Sequence, residues 1–351
     1  SFANPVEDTT KVKTEVAHEA AAEEAHAEPT DVKSKIKAFI NHHLLDAHDF
    51  TLSVNEETGE HYGFSLPIIL WDNGLQVFSS AKFHHGEEVA EVDGSYYKLV
   101  HGKIYKTDAE GTISYDEHHH PTNVKPLDFS ITKNVVTMLL ASFLLFVFFV
   151  GLAKSYKKGP IPTGLGRVLE PLVIFVRDDI ARPNLGHKYA AFMPYLLSVF
   201  FFIWLNNMLG LVPFFPGGAN VTGNIALTVV LAAATFLITT FKANKYYWGH
   251  ILNPPVPWWL KPLMIPVEIF GMFTKPIALA IRLFANITAG HILVMSLLCL
   301  IFIFNSIAVA PASIFFAVFI GLIEFLVAFI QAFIFTILSA LFIGMAVEEH
   351  H

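Results

Sequence analysis

One cysteine, Cys299, is all that the 351 residues contain. An intrachain disulfide and a cysteine-based zinc site are thereby excluded. Charge is scarce, at 15% of residues, and the first 130 residues have no arginine. Three catalytic signatures are missing: H-E-x-x-H, G-x-S-x-G and G-x-x-x-x-G-K-[ST]. Their absence argues against a membrane hydrolase and puts nucleotide chemistry off this chain. No repeat relates the two halves, as it would in many secondary transporters. No basic face presents itself to nucleic acid.

What the chain has in excess is phenylalanine, 33 of them, within a composition that is 54% hydrophobic. The net charge of −7 conceals a division. Residues 1–130 hold 23 acids against 10 lysines, whereas residues 131–351 hold 7 acids against 13 lysines and arginines. An acidic, water-compatible front is joined to an apolar back with basic flanks.

The uncharged runs in the back are too long for a soluble core. Asn134–Ala153, Tyr189–Phe241, Leu283–Ile323 and Phe325–Val347 contain no Asp, Glu, Lys or Arg. A bilayer span needs about 20 apolar residues. Five membrane helices are expected, at about 134–153, 189–212, 222–241, 265–304 and 310–347. Asn207, Pro213, Pro216, Gly217 and Gly218 mark one turn, and Asn305 to Pro311 another. The last two helices, about 60 Å each at 1.5 Å per residue, exceed a hydrocarbon core of about 30 Å. They are expected to form a steeply tilted hairpin. A cytoplasmic interfacial helix completes the expected set.

Lysine and arginine set the orientation. The loop 154–188 carries seven of them and the loop 242–264 carries three, whereas the turns 213–221 and 305–310 carry none. The positive-inside rule makes the first two loops cytoplasmic, with residues 1–130 outside and the C-terminus inside. The first residue is Ser1, and an exported N-terminus implies a cleaved signal peptide.

The front divides again. Residues 1–31 are rich in Glu, Ala and Thr without apolar periodicity and are expected to be disordered. Residues 32–130 are expected to form a small, mostly β periplasmic unit. A helix is expected over Val32 to His48, and strands over Ser65–Leu70, Leu75–Phe83, Ser95–Val100 and Lys103–Thr107. Twelve of the 17 histidines lie in residues 1–130. Consecutive histidines make no ligand geometry by themselves, so a solvated role is the reading preferred over a metal site.

Ionisable groups in membrane helices cost about 2.5–3.5 kcal/mol on insertion scales, so each marks function by default. The fourth helix carries Glu268, Arg282 and His291, with Asn286 four residues from Arg282. The fifth carries Glu324 and Gln331, and Asn206 and Asn207 close the second. No acid stands three or four residues from Arg282. Helical geometry puts Glu268 about 21 Å before it and His291 about 13 Å beyond. Gln331 is expected near Arg282, with Glu324 within reach of His291. The pattern reads as two offset polar half-paths separated by a positive charge.

The segment Arg282-Leu-Phe-Ala-Asn286-Ile-Thr-Ala-Gly290-His291 resembles subunit a of the F-type ATP synthase. So do Pro266-Val-Glu268, Lys275-Pro276, Asn206-Asn207-Met-Leu-Gly210-Leu-Val-Pro213, Arg177-Asp178-Asp179-Ile-Ala-Arg182-Pro183-Asn184 and Gln331-Ala-Phe-Ile-Phe-Thr. The resemblance covers about 131–351 and leaves the front unexplained. It implies an all-α membrane fold whose last two helices curve around a rotor ring. It also implies that Arg282 faces that ring and separates two proton half-channels. Partners implied are the ring of c subunits, the peripheral-stalk b subunits, the rest of the complex and the bilayer. No cofactor or metal is implied. Many bacterial members carry Glu where His291 stands and His where Glu324 stands. The reciprocal exchange is expected if the two side chains share one site.

Overall fold

The structure, a computed structural model, describes residues 46–54, 61–86, 88–100, 102–117, 120–157, 159, 161, 162, 164, 166–212, 218–304 and 310–348. The expected acidic leader and nearly all of the helix expected over 32–48 fall outside these residues. So do most of both interhelical turns, His118-His119 and the closing His350-His351.

Among the described residues, eight strands, β1 (Asp49–Val54), β2 (His61–Ser65), β3 (Pro67–Trp71), β4 (Leu75–Ser79), β5 (Ala90–Val92), β6 (Ser95–Val100), β7 (Lys103–Thr107) and β8 (Leu127–Asp128), build the front. They pair antiparallel as β1–β2, β4–β3–β8 and β5–β6–β7. Ile68, Leu70, Phe78, Phe83, Tyr97 and Ile104 form the core between them. The Asp93-Gly94 turn has φ of 49° and 77°, the left-handed pair that a tight β-hairpin requires.

Two strand boundaries differ from expectation. The run Ser65–Leu70 breaks at Leu66, whose N–H donates to His48 O (3.1 Å) and Ser80 Oγ (3.0 Å), and Pro67 has no N–H to give a ladder. The run Leu75–Phe83 ends at Ser79. There the Ser79 and Ser80 hydroxyls accept from backbone N–H groups, and a 3₁₀ turn over Ser80–Gly86 folds Phe83 back into the core.

The back is helical: α1 (Lys133–Tyr156), α2 (Gly166–Phe175), α3 (Arg182–Leu185), α4 (Tyr189–Leu211), α5 (Ile225–Lys242), α6 (Lys245–Leu252), α7 (Lys261–Phe304) and α8 (Ala310–Val347). Among the described residues, five stretches are long and apolar enough to cross a membrane: Lys133–Tyr156, Gly166–Leu211, Ile225–Lys242, Lys261–Leu300 and Ala310–Val347. The chain is thus a multi-pass membrane protein by its helices. The second stretch extends back beyond the expected Tyr189. A π-helical turn over Val176–Ala181 joins α2 to α3 inside what the basic residues suggested was a loop. Arg177 grips Asp178 with two bonds of 2.9 Å, and Arg182 binds the same carboxylate at 2.8 Å while stacking on Tyr189.

α8 packs on α4, α7 and α5. Its contact stripe is Ala328, Ala332, Thr336, Ala340 and Gly344, one residue per turn and all buried. Small residues at this spacing let helices approach closely where lipid provides no hydrophobic drive. A Cβ at Gly344 would collide with the Asn184 carbonyl. The front is tied directly to α1. Lys133 N donates to Ala47 O at 2.9 Å and Asn134 N to Asp46 Oδ1 at 3.2 Å, so the β unit caps the first turn of the helix.

Within the β unit, Asp72 Oδ2 accepts from Lys106 Nζ (2.6 Å) and Tyr97 Oη (3.0 Å). The Lys106 bond holds the Asp72 carboxyl below its ordinary range, and Asp72 in turn raises Lys106. The carboxylate's contribution is full above the unfolded value of 3.8 and is lost as pH falls through the lower folded value. The lysine's is full below 10.5 and is lost as pH rises through the higher folded value. Asp72→Asn should therefore cost about 1 kcal/mol of β-unit stability at neutral pH and progressively less as pH falls below 3.8. Hydrogen exchange of the β6–β7 amides in the full chain, measured across pH, checks this.

Candidate functional site: the α7–α8 hairpin

α7 and α8 run antiparallel and side by side. Three contacts step along them together: Glu324 against Gly290, Gln331 against Arg282, and Phe342 against Lys275. Both helices are long because their apolar runs are long. Pro266 and Pro276 lie inside α7 without interrupting it.

Arg282 stands at the middle of this ladder. Its backbone carbonyl accepts from Gln331 Nε2 at 2.7 Å, and Gln331 is buried, 2% exposed. The Arg282 side chain is exposed, and among the described residues its guanidinium has no ion pair or hydrogen bond. Asn286 is exposed one turn further along. The expected proximity of Gln331 and Arg282 is therefore present, through the backbone of one and the amide of the other.

Towards the start of α8, Glu324 is half-buried and lies on the bare backbone of Gly290, where any Cβ would meet its carboxylate. His291 is the next residue and is also half-buried. Its Nε2 comes within 3.8 Å of the Cβ position of Gly210, on α4. Glycines at 290 and 210 thus make the room that an acid and an imidazole occupy. Asn207, 3% exposed, accepts from Thr222 Oγ1 at 2.6 Å and donates to Ala328 O at 3.4 Å, linking α4 to α8. Asn206, 1% exposed, donates to Phe202 O on its own helix, and its Oδ1 is buried without a described partner.

Glu268 lies at the other end. It lines a cavity of about 390 Å³ with Tyr247, His250, Lys275, Met345 and Glu348, between α6, α7 and the end of α8. Burial, and then the Glu268 charge, push the Tyr247 phenol up. A smaller space of about 20 Å³ shares Tyr247, Met272, Lys275 and Met345 with it and reaches Thr235 and Thr239 on α5. Thr235 Oγ1 is 2.7 Å from Tyr195 Oη and 3.2 Å from Ser339 Oγ, so three helices meet at one buried hydroxyl. These hydroxyls escaped the sequence reading. Each is individually common in apolar helices, and only their convergence distinguishes them. Among the described residues, no three His, Cys, Asp or Glu side chains converge as a metal site would require.

The arrangement is a helical hairpin with a bare cation at mid-height, an acid–imidazole zone towards one end, and a charged cavity at the other. Comparison with known proteins finds relatives of the chain. The ATP synthase A chain family matches residues 135–344, and a domain of unknown function (DUF8433) matches residues 39–129. ATP synthase subunit a of Chloroherpeton thalassium is 47% identical over 244 residues, which is 66% of this chain and 72% of that one. ATP synthase subunit a 2 of Prosthecochloris aestuarii is 44% identical over 302 residues, 81% of this chain and 92% of that one. ATP synthase subunit a 2 of Chlorobaculum tepidum is 50% identical over 242 residues, 66% and 68%. The match covers the hairpin up to Gly344, with Glu268, Arg282, Asn286, His291, Glu324 and Gln331 inside it, and the chain belongs to the ATP synthase A chain family.

Proposed function

We propose that the chain is the proton-conducting stator subunit of the F-type ATP synthase membrane sector, with Arg282 as the barrier between two offset half-paths. The observation that carries this reading is the exposed guanidinium of Arg282, without a described partner, on a helix whose carbonyl at the same residue is pinned by buried Gln331. A cation left bare at lipid depth is costly unless something outside the chain supplies the counter-charge. A carboxylic acid on each c subunit of a rotor ring would do so.

In lipid such an acid stays neutral, because an unpaired carboxylate there is expensive. Within about 4–6 Å of Arg282 it ionises, since an opposite charge lowers its pKa by 1–3 units. Arginine keeps its own proton throughout, so it blocks direct passage instead of carrying it. On one side of Arg282 the ring acid takes a proton delivered by way of Asn206, Asn207, Glu324 and His291. On the other it releases one towards the Glu268 cavity. Asn286 and Gln331 keep the Arg282 face in place. A deprotonated acid cannot re-enter lipid, so the ring turns one way. Each charge crossing 100 mV brings about 2.3 kcal/mol.

In this reading the basic loops and the C-terminus face the cytoplasm of a bacterial inner membrane, and the β unit (residues 32–130, after an acidic leader 1–31) faces the periplasm. The membrane domain is residues 131–351, with its last two helices tilted steeply against the ring and b subunits of the peripheral stalk alongside. The complex is the enzyme, and this subunit contributes proton transfer only.

Arg282→Ala should abolish ATP-driven proton pumping in inverted vesicles while the complex still assembles, and Arg282→Lys should fail as well if the planar cation matters. Normal pumping by the alanine variant would overturn the assignment. Gly290→Ala should leave assembly intact, because the flexible Glu324 side chain can swing away, yet reduce pumping severalfold by displacing that carboxylate. Gly321→Ala, where nothing lies within 4 Å of the new Cβ, should pump normally in the same vesicles.

A further inference from the structure

The β4–β3–β8 sheet has one face turned inward, with Ile68, Leu70, Gln76 and Phe78 buried. Its other face should be polar, since an antiparallel sheet with one packed face shows water the second. The opposite holds here. The register sets Ile69 beside Val77, and Trp71 beside both Leu75 and Leu127. Phe129 continues β8 on the same side, its N–H donating to Ile69 O at 2.9 Å. The outward positions are therefore Pro67, Ile69, Trp71, Leu75, Val77, Ser79, Leu127 and Phe129, without a single charge. Trp71, Leu75, Val77, Leu127 and Phe129 are each 55–64% exposed. By contrast, the β5–β6–β7 sheet carries Glu91 and Lys98 on its outward side.

We infer that this apolar sheet face rests on the bilayer surface beside the point where α1 enters it, with Trp71 and Phe129 at the headgroup–acyl boundary. Continuity with the membrane helix selects lipid as the occupant. Phe129 lies four residues before Lys133, the first residue of α1, and Ile131 N donates to Pro67 O at 3.1 Å, so the sheet edge and the membrane helix form one hydrogen-bonded run. The caps from Asp46 and Ala47, in the segment that leads into β1, fasten the β unit to that helix a second time. A patch of this size in water would be a liability, and tryptophan is the residue that favours the membrane interface. The β unit would then be a surface-lying foot, held by shallow apolar insertion in the manner of monotopic elements.

Nitroxide labels test this in the assembled synthase, reconstituted in phosphatidylcholine vesicles. Val77→Cys and Leu127→Cys are made separately in a Cys299→Ala background, with exposed Glu110→Cys as the reference. Dissolved oxygen partitions into lipid, and a charged nickel chelate stays in water. Labels at 77 and 127 should show a ratio of oxygen to nickel collisions severalfold above that at 110. Nickel access at 77 and 127 equal to that at 110 would put the face in water and overturn the proposal. Exclusion of both reagents from 77 and 127 would show a protein partner there, and would equally overturn it.

Discussion

An arginine cannot discard its charge, and everything about the hairpin follows from keeping one at bilayer depth. A carboxylate or lysine in the same place could neutralise itself, whereas Arg282 cannot. Under the proposed function its position must be fixed by groups that do not pair with the guanidinium, because an ion pair within the chain would satisfy the charge that the ring acid is to meet. Gln331 meets that need. It holds the Arg282 carbonyl and leaves the cationic end outward. A neutral amide can do this without competing for the counter-charge, and a carboxylate at the same position could not.

The helix behind it is built to make that single hydrogen bond reliable. Within lipid, helices gain nothing from hiding apolar surface, so close approach and hydrogen bonding must hold them together. The row of small residues from Ala328 to Gly344 on α8 supplies the approach. Asn207, Thr235 and Ser339 supply the bonds, joining α4 and α5 to the same helix. Threonine hydroxyls also bond back to their own helices, as Thr336 does to Ala332 O and Thr239 to Thr235 O.

The sequence was most readable where one physical requirement acts over many residues. Twenty uncharged residues in a row have one common explanation, and the helices at Lys133–Tyr156, Tyr189–Leu211, Lys261–Phe304 and Ala310–Val347 begin and end within a few residues of where charge or a turn signal puts them. Arg282, Gln331 and Glu268 were legible for the converse reason, since each violates that requirement. Features made by pairing across the chain were not. Nothing local announces that Asp46 will cap a helix 88 residues later, or that Tyr195, Thr235 and Ser339 will share a hydroxyl bond. The π-helical turn at Val176–Ala181 was obscured by its own charges, because Arg177, Asp178 and Arg182 read as a loop until they neutralise one another. Four strands, β1, β2, β5 and β8, lie outside the expected set: β5 and β8, at three and two residues, are too short to show an alternation, whereas β1 does alternate over its six residues.

A stator must also resist the force that it creates. If a ring acid pulls on Arg282, α7 bears the load first, and the ladder of contacts from Gly290 to Lys275 passes it to α8. From there the small-residue stripe and the aromatic cluster of Phe175, Phe200, Phe329 and Phe333 pass it to α4 and the α2–α3 segment. α4 packs on α1, and α1 is capped by the β unit. The route has a direction. Hydrogen bonds are specific where the cation must be placed to within an ångström, and broad aromatic packing takes over where only rigidity is needed. The β unit stands at the far end of that route, where a large lever fixed to the first turn of α1 opposes rotation of the helix better than a free chain end could.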